Sequence, residues 1–177
     1  MKSIYIIFII SVSVFSSSIF SQTIAVVNIQ SVINNNNFYN DILLDIEQKQ
    51  QKYLISFEAK ENDLKLKLKE IESSKLILSE KEINSQIEEY NNQLSDFTIL
   101  IEEFNTHYQN EVINIREYIL KEIINLLENY ATKNNVDLIL DSNSYLIVSN
   151  SLDITEEINN ELKQIELKLE YSDFEKN

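Results

Sequence analysis

An apolar stripe about fifty residues long limits what this chain can fold into. Ile83, Ile87, Tyr90, Leu94, Phe97, Ile101, Phe104 and Tyr108 follow one another at alternating steps of four and three. After a second step of four, the stripe resumes as Val112, Ile115, Ile119, Ile123, Leu126 and Tyr130. A repeat averaging 3.5 residues keeps one seam of a helix against a partner helix, the pattern of a coiled coil. The two consecutive steps of four form a stutter, which locally unwinds the supercoil. At ~1.5 Å per residue such a helix reaches roughly 75 Å, more than a compact domain of this size spans, so it must project.

Nothing in the chain interrupts such helices. Its 177 residues include no Gly and no Pro, where average usage gives about a dozen and about nine. The absence also removes every glycine-rich phosphate loop. With no Cys there is no disulfide and no thiol for a lipid anchor, so core packing and assembly must hold the fold.

The N-terminus has the layout of a secretory signal: Lys2, then an apolar run from Ile4 to Phe15, then small residues from Ser16 to Ser21. Cleavage is expected after Ser21. The alternative is an uncleaved anchor, since the apolar span approaches the ~20 residues that cross a bilayer. Net charge is −14. Residues 1–21 carry one Lys and no acid, so the mature chain stands at −15. Sequence-independent nucleic-acid binding needs a basic surface, and is excluded. Anionic membrane surfaces are disfavoured for the same reason.

A first strand is expected over residues 24–29, a β-branched apolar run. The tract Asn34 to Asn37 follows as a turn, its last Asn placed to cap a helix. A first long helix is expected over about 38–75, with the seam Leu43, Ile46, Tyr53, Phe57, Leu64, Leu68 and Ile71 and an exposed Glu61–Lys65 pair. The chain should reverse near 73–79. Ser79 with Glu82 forms a capping box, and a second helix runs from Glu80 to about Lys133.

Two further strands are expected at 136–141 and 145–149, paired as a hairpin across Ser142–Ser144. Asp153 with Glu156 suggests another cap. Ile154, Ile158, Leu162, Ile165 and Leu169 would then line one helical face, and residues 172–177 would fray. The result is an α+β fold, mainly α. A small β body of three short strands comprises residues 22–40 and 131–177. A long antiparallel coiled-coil hairpin, 41–130, is inserted between them.

These pieces, in this order, resemble the Skp family of periplasmic chaperones (OmpH-like proteins). The likeness rests on the opening block Ile24–Ile33 and on a closing block. The closing block is Val136–Asp141, then Tyr145–Ser149, then Leu152–Ile158 with its Asp153-Ile154-Thr155 signature. The resemblance implies a homotrimer shaped like a jellyfish, with three β bodies joined in a hub and three hairpins hanging from it. It implies ATP-independent holding of unfolded outer-membrane proteins in the cavity between the arms, in the periplasm. Trimerisation also suits the sequence, because three short strands per chain cannot bury both faces alone. Known members of the family are basic, whereas this chain is acidic with Arg116 as its one Arg. A trimer would carry about −45, three times the mature charge, and the acidity argues against lipopolysaccharide binding. The rival reading is a structural or adaptor coiled-coil protein of the cell envelope.

No catalytic constellation stands out, and neither enzymatic activity nor a cofactor is expected. His107, flanked by Glu103 and Glu111 at four residues on either side, could hold a divalent metal weakly. A solvated coiled-coil flank is the plainer account, and no metal site is assigned. Tyr53, Phe57, Tyr90, Phe97, Phe104 and Tyr108 fall on the seams, where arm-to-arm packing accounts for them. Where adjacent positions are both apolar, one must leave the seam. That singles out Leu54, Ile55, Leu66, Leu76, Ile77, Leu78, Ile99 and Leu100 as candidate contacts for an unfolded client.

Overall fold

In the computed structural model, which describes residues 22–175, strand β1 (Ile24–Val27) leads into a short helix α1 (Ile29–Asn34). Two long helices follow, α2 (Asn37–Ser74) and α3 (Glu80–Asn134). Strand β2 (Leu138–Asp141), two 3-10 turns (Ser142–Ser144 and Asn150–Leu152) and helix α4 (Thr155–Leu162) complete the elements. The fold is mainly helical with a small strand part. The signal expected at 1–21 lies outside the described residues.

The two strands pair in parallel, with Ile24 opposite Leu138 and Val27 opposite Asp141. A parallel pair needs a crossover, and here that crossover is the whole helical hairpin. Its 55-residue second helix is roughly 80 Å long. The expected hairpin between the second and third strands does not form. β2 turns instead to β1, and Tyr145–Ser149 is not a strand among the described residues. Leu146 and Ile147 are fully exposed. They have strand-forming side chains but no neighbouring ladder within the protomer.

The Asp153-Ile154-Thr155 block ties the two ends of the chain together. Asp153 bridges to Val26, and the Ile154 N–H donates to the Val26 carbonyl at 2.9 Å. The Thr155 hydroxyl accepts from the Asn28 N–H at 2.8 Å, while Asp153 accepts from the Thr155 N–H at 2.9 Å. Asp141 accepts from the Ile29 N–H at 3.2 Å. Burial alone would push the Asp141 carboxyl up, but the N–H donors of Ile29, Asn143 and Ser142 together hold it below its ordinary value. The expected box between Asp153 and Glu156 is absent, because Asp153 turns back on Thr155 and the helix begins one residue later.

Helix ends are closed by side chains. Asn36, rather than Asn37, caps α2 by accepting from the Tyr39 N–H at 2.9 Å, and is itself buried. α3 ends on Asn135 in the left-handed conformation (φ 53°). This position favours Gly, and Asn is the residue that best replaces it. At the tip the expected box is present: Ser79 accepts from the Glu82 N–H, and Glu82 accepts from the Ser79 N–H at 2.9 Å.

The core is continuous from the body into the lower arm. Ile115, Ile119, Ile123, Val32 and Ile158 are completely buried, and Ile33 and Leu162 nearly so. They join Phe104, Tyr108, Phe57 and Leu64 in one cluster.

Candidate functional site: the apolar surface and the grooved root of the arm

The apolar positions expected to leave the seam largely do so. Leu76 and Ile77 project from the turn between the helices at 95% and 84% exposure, with Leu78 half-buried beside them. Ile55 and Leu66 are 70% and 62% exposed, and Leu54 and Ile99 about half. Leu100 is half-buried and packs against the core. They do not form one patch. Leu76 to Leu78 sit at the tip, and Leu66 lines a polar cleft just below it with Ile71 and Gln86. Ile99 and Leu100 line a second cleft of about 670 Å³ with Tyr53, Phe57, Phe97 and Phe174. Leu54 and Ile55 line neither.

A second feature was not anticipated from the sequence. The helical face expected to continue through Ile165 and Leu169 stops at Leu162. The chain then runs extended along the root of the arm. Ile165, Leu167, Leu169 and Tyr171 are half-buried against the core, with exposed residues between them. This is the period-2 pattern of an extended segment. Phe174, expected to fray, is 6% exposed. It stands edge-on to Phe104 at 5.4 Å between ring centroids and to Tyr53 at 5.6 Å. Phe104 is the hub of the cluster, with Phe57 and Tyr108 also edge-on at 5.0 and 5.1 Å. Such pairs each add about 0.5–1.5 kcal/mol beyond the area they bury.

Polar contacts from both long helices hold this strap. From α2, Asp45 accepts from the Tyr171 hydroxyl at 2.6 Å, and Lys49 lies 2.8 Å from Asp173 and 4.3 Å from the Tyr171 ring centre. From α3, Glu111 accepts from the Ser172 hydroxyl at 2.7 Å, and His107 Nε2 bonds the Ser172 carbonyl at 2.9 Å. His107 and Glu111, read as flank residues, are therefore part of the strap's seat. Among the described residues no three potential metal ligands gather. The Tyr171 hydroxyl holds the Asp45 carboxyl below its ordinary value. Asp173, followed by Tyr171, pushes Lys49 up. Burial, followed by the bond to Asp45, raises the Tyr171 phenol. The strap was legible in principle, because Glu166-Leu167-Lys168-Leu169-Glu170-Tyr171 alternates strictly. The same residues also fit a helical face, and that reading hid the alternation.

A small strand pair spanned by a long helical hairpin with exposed apolar tips defines a class of projecting, coiled-coil-armed proteins. The family described as Outer membrane protein (OmpH-like) matches residues 23–162, and the chain belongs to it. A curated relative, the Chaperone protein Skp of Blochmanniella pennsylvanica (strain BPEN), is 25% identical over 142 residues, covering 80% of this chain and 84% of the relative. A solved OmpH-like protein of Caulobacter crescentus CB15 superposes with a TM-score of 0.70 at 10% identity. The superposition covers 86% of this chain and 92% of the other, a likeness of fold. The family supports a chaperone role.

Proposed function

We propose that this chain is an ATP-independent periplasmic holdase. It binds unfolded outer-membrane proteins between its helical arms and keeps them from aggregating. The observation that carries this reading is the set of exposed apolar side chains along the arm, foremost Leu76 and Ile77. The contiguous apolar side chains of Leu76 and Ile77 at the tip of a projecting helix pair suit weak, sequence-tolerant binding better than a shaped pocket would. The working form is a homotrimer, in which Leu146 and Ile147, bare in the protomer, are covered by a neighbouring copy. The signal-like layout of residues 1–21 and the family support a periplasmic setting.

The acidic charge favours a second reading, an envelope coiled-coil adaptor without clients. Light scattering coupled to size exclusion on the mature chain, with and without an unfolded outer-membrane β-barrel, separates the two. A trimer that takes up one barrel and keeps it soluble is expected. A dimer, or a trimer that ignores the barrel, moves the assignment to the adaptor. Replacing Leu76, Ile77 and Leu78 by Ser should weaken holding while the trimer persists. Unchanged holding would remove the tip from the site.

A further inference from the structure

The strap beyond Leu162 is held in an unusual way. After the Ile165 N–H bonds the Leu162 carbonyl, no backbone–backbone hydrogen bond of the strap is present among the described residues. Its main chain is gripped instead by three side chains of the groove. The Tyr118 hydroxyl accepts from the Lys168 N–H at 3.2 Å. His107 Nε2 bonds the Ser172 carbonyl at 2.9 Å, and the Tyr53 hydroxyl donates to the Phe174 carbonyl. Bonds to the main chain are available from every residue type, save proline where the N–H is the donor, so this grip scarcely reads sequence. What the groove holds is a pattern: apolar side chains at every second position from Ile165 to Tyr171, then an aromatic ring in the cradle of Tyr53, Phe104 and His107. Lys49 pairs with the acidic Asp173 just before that ring. The Tyr108 hydroxyl at the cradle's floor is buried. It makes no hydrogen bond of normal geometry, although the Phe174 backbone lies beside it. The cleft of about 670 Å³ that adjoins Phe174 continues the apolar lining through Phe97, Ile99 and Leu100.

We propose that this groove between α2 and α3 is a binding site for extended, alternately apolar polypeptide segments. The chain's own residues 163–175 occupy it as an internal stand-in that a client must displace. Alternating apolar residues are the sequence pattern of strands that line a β-barrel in lipid, so an unfolded outer-membrane protein presents many matching segments. The inference rests on the holdase reading for its client. It adds a defined seat and a built-in competitor, in a segment that lies beyond the family match. Because the strap is tethered, it competes at an effective concentration on the order of millimolar. Only clients offering several segments, or an aromatic in the right place, win. A strap seated about 90% of the time lowers apparent affinity for an outside segment about tenfold.

The test uses the full chain and two probes, a fluorescein-labelled peptide with the sequence of residues 163–177 and an unfolded outer-membrane β-barrel. Leu169→Ser with Phe174→Ala should loosen the strap and leave the seat intact. Peptide binding should tighten about tenfold over the unaltered chain, and uptake of the barrel should rise with it. Equal peptide binding by both chains overturns the proposal. The native chain has no Cys, so the opposite state is accessible. Lys49→Cys with Asp173→Cys, bridged by a short bis-maleimide, locks the strap down and should abolish peptide binding that the unbridged protein retains. Binding that survives the bridge also overturns it, even if the loosened variant fails to fold. Barrel holding indifferent to both manipulations leaves the holdase standing and removes the groove as its client site. Peptide binding that responds to the strap, in a protein that never holds the barrel, keeps the groove and removes the holdase.

Discussion

The root and the tip of the arm are built from the same two helices on different packing rules. At the root, Phe104, Tyr108, Ile115, Ile119 and Ile123 are all at most 2% exposed, and the strap adds Phe174 from outside. Toward the tip, α3 buries only Phe97, while α2 stays sparse along its length, burying Tyr39 and Ile46 near the body and Leu64 and Ile71 toward the tip, in each case one residue per heptad. The alternate seam positions Leu68, Ile87 and Leu94 remain 37–41% exposed. A single knob per two turns preserves helix register but removes little apolar surface from water. Each fully buried side chain contributes about 1.5–3 kcal/mol. The distal ion pair between Lys67 and Glu89, at 2.6 Å, adds at most about 1 kcal/mol because its Glu89 carboxylate faces water. Sequence periodicity alone does not separate these regimes. What separates them is a third element, the body below and the strap alongside, against which α3 buries a second residue in each heptad at the root.

The largest expected consequence is at the aromatic hub. Phe104→Ala should destabilise the protein by about 3–5 kcal/mol, read as a drop in the urea midpoint. Leu64→Ala, in the sparsely packed arm, should fall near the low end of the range for its type, about 2 kcal/mol. Equal losses at the two sites would break the contrast between root and tip.

The next effect concerns pH and is read at the strap. Asp45 has a lowered carboxyl. Its contribution is present above the ordinary aspartate value of about 3.9 and fades as pH falls through its lower folded value. Lys49 and Tyr171 are both raised. Their contributions are present below their ordinary values near 10 and fade as pH rises through the folded ones. Strap seating should therefore hold steady from about pH 5 to 9 and weaken on either side. Near-ultraviolet circular dichroism of the tyrosine cluster, followed against far-ultraviolet helicity, measures this. A near-ultraviolet change inside that window at constant helicity would place control of the strap outside these three groups.

The parts that were legible in the sequence and the parts that were not differ in what each had to specify. The long helices were legible because a 3.5-residue repeat with no Gly or Pro satisfies its own backbone and names its own partner face. The tip box at Ser79 and Glu82 was legible because a cap is local. The third strand was not legible, because Tyr145–Ser149 has β-forming side chains but no partner in its own protomer, and a strand is a property of two segments. The strap was misread because Ile165 and Leu169 satisfy helical spacing and alternating spacing together. The choice between them was made by a groove of α2 and α3, whose polar contacts to the strap span from 50 residues at Tyr118 to 126 at Asp45. The candidate contacts Leu76 and Ile77 followed from the seam rule. Leu100 illustrates its limit, since of two adjacent apolar residues the rule does not say which one turns inward.

The smallest effect sharpens the contrast most. Ser79→Ala removes the acceptor for the Glu82 N–H and the hydroxyl bonded to the Glu82 carboxylate at 2.6 Å. Loss of an N-cap costs about 0.5–2 kcal/mol, and an exposed, peptide-like tip falls in the lower half of that range, about 0.5–1 kcal/mol. If the distal arm opens independently of the root, that cost is confined to the tip. Amide exchange over residues 80–84 should then rise about two- to fivefold, the range equivalent to 0.5–1 kcal/mol, while exchange at Ile115, Ile119 and Ile123 and the global urea midpoint stay fixed. If the midpoint falls by the full amount and the root amides accelerate together with the tip, the arm unfolds as one cooperative unit. The sparse distal seam would then be as strongly coupled to the core as the aromatic hub, and the difference between the two ends would be one of exposure alone.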